Sequence, residues 1–133
     1  MDSNLVAIAK DGVRLACHVA GTGAPVVLVH GYASSLDQNW HSTGWIDRLA
    51  REGFRVVSFD CRGHGLSDKP HQPERYGDRM VDDILAVMEA CAVEDAFLMG
   101  YSMGAMLTVA FLMRYPQRVR RVVAAGVGDN YFN

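Results

Sequence analysis

The spacing of apolar and polar positions changes several times along the chain, and each change marks an element. Residues 5–8 and 13–19 are short β-favouring runs on either side of Lys10-Asp11-Gly12. An Asp-Gly step between two such runs predicts a β-hairpin, because glycine tolerates the positive φ that the turn demands. Gly21-Thr22-Gly23-Ala24-Pro25 breaks the pattern, and Val26-Val27-Leu28-Val29 follows with no polar position. A run apolar on both faces predicts a strand buried between helix layers, as in a parallel sheet. Trp45–Arg51 reads as a short helix with Gly53 ending it, and Phe54–Phe59 as the next strand, running into Asp60.

Residues 61–76 are rich in glycine, proline and charge and predict a loop. Val81, Ile84, Leu85, Met88 and Cys91 then recur at helical spacing. Asp78, Asp82 and Asp83 stand near the start of that helix, where its dipole favours negative charge. Residues 96–100 predict a strand. Met103–Arg114 predicts a helix apolar almost all round, hence deeply buried, which Pro116 stops. Residues 119–127 predict a last strand. A hairpin followed by β-α-β-α-β-α-β implies an α/β fold: three layers around a mostly parallel sheet with right-handed crossovers. Ligands of such sheets bind beyond the carboxyl ends of the strands.

Composition narrows the class. The 133 residues are 50% hydrophobic and 21% charged, with a net charge of −2. That balance predicts one globular domain over residues 1–133 and gives no electrostatic footprint for nucleic acid or an anionic membrane. No apolar run approaches the roughly 20 residues of a membrane span. The first residues lack the basic region of a signal peptide, so a cytoplasmic location is expected. Cys17, Cys61 and Cys91 are widely spaced and read as reduced thiols. The five histidines have no metal-ligand spacing, so no metal is expected.

Three motifs fall at predicted carboxyl strand ends. Gly100-Tyr101-Ser102-Met103-Gly104 lies between a strand and a helix, as a nucleophile elbow requires. The same five residues also arise by chance; the strand–turn–helix setting gives them weight. A sharp turn there lifts the Ser102 hydroxyl clear, and the helix beginning at Met103 aims N–H groups at a developing oxyanion. His30-Gly31-Tyr32 follows the 26–29 strand. A tight turn at Gly31 makes the Tyr32 N–H the second oxyanion donor beside that of Met103, with His30 bracing the loop. The third motif runs from Asp60 to Asp68 through Arg62, Gly63 and Gly65. It reads as a folded support loop tied down by Arg62 and Asp68.

In this order and spacing the motifs resemble the α/β-hydrolase superfamily, in its serine esterase, haloperoxidase-like and C–C hydrolase branch. Residues 24–127 are similar to its N-terminal core. The resemblance implies a serine hydrolase acting on a small ester-like or other acyl substrate with Ser102 as nucleophile and no cofactor. Haloalkane dehalogenases and epoxide hydrolases also resemble this pattern but carry Asp at the nucleophile position, so Ser102 argues against both. The family order is Ser, then Asp or Glu, then His. No histidine follows Ser102; the last is His71. The resemblance therefore covers an incomplete core without the last strands, the cap or the catalytic histidine segment. Asp129 is a candidate acid or a plain turn residue, and His30 and His64 are candidate substitute bases. Three readings stay open: a poorly active part of a longer hydrolase, a half-sized hydrolase completed by homodimerisation through its exposed final strand, and a non-catalytic ligand-binding or scaffolding module. Tyr32, Trp40, Trp45, Tyr101 and Met103 are candidate pocket residues, with Trp40 and Trp45 read as packing.

Overall fold

The computed structural model describes residues 2–127. Among them, six strands form one sheet in the order β1-β2-β4-β3-β5-β6. These are β1 (Ser3–Ile8), β2 (Arg14–Ala20), β3 (Ala24–Val29), β4 (Phe54–Phe59), β5 (Ala96–Tyr101) and β6 (Val119–Ala125). The first two form the expected antiparallel hairpin, and β2 also pairs antiparallel with β4. The contacts of β3 with β4 and β5, and of β5 with β6, are parallel. The helices are α1 (Trp45–Arg51), α2 (Asp78–Ala90) and α3 (Met103–Arg114).

The apolar run of β3 is covered on both faces. Val27 and Val29 join Leu15, Val57 and Phe59 of the sheet against Ile84, Val87, Met88 and Phe111 of α2 and α3. Val26 and Leu28 point the other way and pack with Val56 against Trp40 and Ile46. Alternate residues of one strand thus build two cores, giving three layers.

The structure departs from the sequence reading in several places. The outer side of α3 is open: Met106 and Leu112 are exposed and Met113 is 80% exposed. α3 lies against β3, β5 and β6, and among the described residues only its inner face is fully covered. The last strand stops at Ala125, because Gly126 turns the chain at φ +73°. Residues Asp37–His41, unassigned from sequence, form a π-helical turn. Trp45 does not pack as Trp40 does: it opens α1 and is 44% exposed, while Trp40 is buried. Only Asp78 serves the first turn of α2; Asp82 and Asp83 make specific pairs instead.

Asp82 joins Arg114 and Tyr115, while the Asp83 pair fixes the support loop. Arg62 is buried, and its Nε and Nη2 each donate to an Asp83 carboxylate oxygen at 2.7 Å. Its Nη1 donates to Asp11 in the hairpin turn at 2.9 Å and to the Arg75 carbonyl at 2.6 Å. One guanidinium therefore joins the hairpin, α2 and the 60–76 segment, in the planar forked geometry that arginine offers. Burial pushes the Asp83 carboxyl up, and the guanidinium opposes that rise. Hydrogen bonding to Arg62 holds Asp11 at about 2, against an ordinary 3.8. Asp11 thus contributes stability that is complete above about pH 4 and is lost as pH falls toward 2. In urea unfolding measured from pH 5 to pH 2, the wild-type chain should lose stability more steeply than Asp11→Asn; parallel curves contradict this.

Candidate active site

The site is built at the carboxyl ends of β3 and β5. Ser102 follows β5 and caps α3 with φ +56° and ψ −114°, a backbone state that costs a non-glycine residue about 1–3 kcal/mol. Its own N–H donates to the Ala125 carbonyl of β6 at 2.8 Å, and its carbonyl accepts from Ala105 at 3.0 Å. The strained turn is therefore held from both sides, and the side chain is half-buried.

The flanking glycines are there for space. A Cβ on Gly104 would lie 2.0 Å from the Val29 carbonyl oxygen, and one on Gly100 would lie 2.2 Å from that of Gly104. The start of α3 consequently rests directly on the end of β3. A Cβ on Gly31 would lie 3.3 Å from Ser102 Cβ, so the His30-Gly31-Tyr32 turn sits against the elbow.

The amides of that turn are almost all engaged. Gly31 N–H donates to Asn39 Oδ1 at 2.7 Å, Ala33 N–H to His64 Nε2 at 3.0 Å, and Ser34 N–H to the Gly31 carbonyl at 3.2 Å. Tyr32 N–H, between them, has no acceptor among the described residues. Met103 N–H is one of the donors that a helix leaves without an internal partner at its N-terminus. Two uncommitted amides thus lie next in the chain to the contact between Gly31 and Ser102.

A profile for the alpha/beta hydrolase fold matches residues 24–132. The chain belongs to the α/β-hydrolase fold family. It is 33% identical over 117 residues to the 2-hydroxymuconate semialdehyde hydrolase of Pseudomonas sp. (strain CF600), covering 86% of this chain and 40% of that one. It is also 33% identical over 117 residues to bifunctional epoxide hydrolase 2 of Sus scrofa, covering 86% of this chain and 20% of that protein. The solved epoxide hydrolase from an endophytic Streptomyces superposes with a TM-score of 0.82 at 29% identity, over 91% of this chain and 36% of that one. The chain therefore spans well under half the length of these relatives.

Two histidines of this α/β-hydrolase family member, His30 and His64, are bound to main chain. Buried His30 donates from Nδ1 to the Gly31 carbonyl at 2.7 Å and accepts the Cys61 N–H on Nε2 at 2.9 Å. Burial pushes its pKa down, in keeping with an Nε2 that accepts an N–H. His64 donates from Nδ1 to the Arg62 carbonyl at 3.0 Å and accepts the Ala33 N–H on Nε2. Both nitrogens of each ring are committed, so neither ring is placed as a base for Ser102. Asp129 lies outside the described residues. Asp68 accepts the Arg14 N–H at 2.8 Å, so it and Arg62 both anchor their loop to the body of the fold. Tyr32 is 78% exposed and Tyr101 47% exposed, beside the site.

Sequence reasoning missed Asp60 and Asn39. The Asp60 carboxylate accepts the Leu36 and Leu66 N–H groups, both at 2.9 Å, and a Cβ on Gly65 would lie 2.3 Å from it. An acid at a strand end ahead of two glycines was the available signal. Asn39 gave none, because the turn that presents it has no periodicity. Among the described residues no group of three or more potential ligands is placed to hold a metal, and no helix is long and apolar enough to cross a membrane. Replacing Ser102 by glycine removes the backbone strain, so Ser102→Gly should be more stable by about 1 kcal/mol and unfold at a higher urea midpoint. A midpoint at or below that of the wild type refutes the strain.

Proposed function

We propose that this chain carries the nucleophile and oxyanion hole of a serine hydrolase that attacks the carbonyl carbon of a small acyl substrate. One observation supports this most: a strained serine flanked by the two uncommitted amides of Tyr32 and Met103. Ser102 Oγ adds to the carbonyl carbon as its proton passes to a base. The carbonyl oxygen becomes an oxyanion that accepts from Tyr32 and Met103. Collapse breaks the bond to the leaving group, which takes the proton, and water then releases the acid from Ser102. No cofactor takes part in this sequence. The bond broken is that of an ester or a carbon–carbon bond beside a carbonyl, in line with the 2-hydroxymuconate semialdehyde hydrolase among the relatives. A serine at the elbow fits acyl transfer better than the epoxide opening of the other relatives.

Neither His30 nor His64 serves as the base, since both are committed, and the base comes from further chain or from a second copy. It enters past β6, which among the described residues has a neighbour on one side only. Further chain or a second copy joins there.

Labelling with a fluorophosphonate, read by intact mass and peptide mapping, tests the reading. The oxyanion donors alone should make Ser102 at least about tenfold more reactive than any other hydroxyl of the folded chain. Added imidazole should accelerate labelling by standing in for the base, and Ser102→Ala should abolish both effects. Labelling without preference, or none in folded protein with imidazole present, contradicts the proposal and favours a non-catalytic module.

A further inference from the structure

We propose that His64, with Asn39 on the opposite side, is a positioning residue that aims the Tyr32 amide at the oxyanion. This rests on the oxyanion role given above to Tyr32. The Arg62 carbonyl only accepts, so the proton between it and His64 sits on Nδ1. The Ala33 amide only donates, so Nε2 presents its lone pair. The two main-chain partners therefore fix one neutral tautomer of one ring.

That ring holds an unfavourable piece of backbone. Ala33 has φ +59°, a left-handed state that a residue with a Cβ adopts rarely. Its N–H bond to His64 is what secures it on that side. On the other side Gly31 N–H is held by Asn39 Oδ1, presented from the π-helical turn Asp37–His41. Tyr32 lies between two amides that are each bound to a side chain. The His64 bond sets the Tyr32–Ala33 peptide plane, and Asn39 sets the His30–Gly31 plane. The Gly31–Tyr32 plane between them is held by its carbonyl, which accepts from His30 Nδ1 and Ser34 N–H, and its Tyr32 N–H is the one left over. The ring of His64 is itself packed: the His30 ring meets it edge-on at 5.0 Å and the Tyr32 ring at 5.8 Å. A carboxamide oxygen at the Nε2 position would accept the Ala33 N–H as the imidazole does. A phenyl ring fills the space and accepts nothing.

The two replacements separate positioning from packing. In the 133-residue chain, His64→Phe should slow fluorophosphonate labelling of Ser102 about tenfold, part of the 10²–10³ carried by a whole oxyanion donor. Amide exchange at Ala33 should quicken at least about tenfold, as for a freed loop N–H. His64→Gln should keep both within about threefold of wild type. Equal losses in the two variants, or no loss in either, overturn the proposal. Should the wild type fail to label at Ser102, the hydrolase reading falls, while Ala33 exchange still decides whether His64 holds the loop. Nitrogen NMR of the unaltered chain needs no variant: Nδ1 protonated and Nε2 bare is expected, and a proton on Nε2 overturns the proposal.

Discussion

The main chain of α3 touches the main chain at the end of β3, and the rest of the site depends on that contact. With no side chain at Gly104, the helix start approaches the Val29 and His30 carbonyls more closely than any Cβ allows. Gly100 lets the turn close, and Gly31 lets the neighbouring loop lie on the elbow. Three missing side chains bring together a serine from one strand end and an amide from another. The sheet supplies the register: Val29 pairs with Gly100 in parallel, so both turns leave the sheet at the same level.

Around this contact, side chains hold main chain. His30, Asn39, His64, Asp60 and Ser67 all bind backbone amides or carbonyls of the loops at the carboxyl ends of β3 and β4, and Asp68 holds the Arg14 amide of β2. Arg62 then ties that assembly to the hairpin and to α2 through two carboxylates. Such a frame fixes the main chain of these loops in advance, as the proposed oxyanion role of the Tyr32 and Met103 amides requires. It also explains why the histidines nearest Ser102 are poor candidates for its base: each is already part of the frame.

Much of this was legible in the chain. Alternating strands and helices gave the layered sheet, because a strand such as β3 has to be apolar on both faces when helices cover both. The elbow was legible because a sharp strand-to-helix turn admits few residue types. The clamp on the 31–33 turn was not. Asn39 and His64 act through single hydrogen bonds from a short turn and a loop, and neither has a periodicity to betray it. Burial of α3 was overread, since an apolar composition states what a helix can bury and not what lies beside it. Asp11 and Asp83 looked like a turn residue and a dipole charge. Their pairing through Arg62 joins positions far apart in sequence, which local patterns do not encode.

The central claim is that the Tyr32 and Met103 amides converge on one point beside Ser102. A crystal structure of the chain phosphonylated at Ser102 tests it most directly, because the phosphonyl oxygen stands in for the oxyanion. The account predicts that oxygen at about 2.7–3.1 Å from both amide nitrogens, with His64 Nε2 still accepting from Ala33. An oxygen turned to solvent, or bound to only one of the two amides, would contradict it.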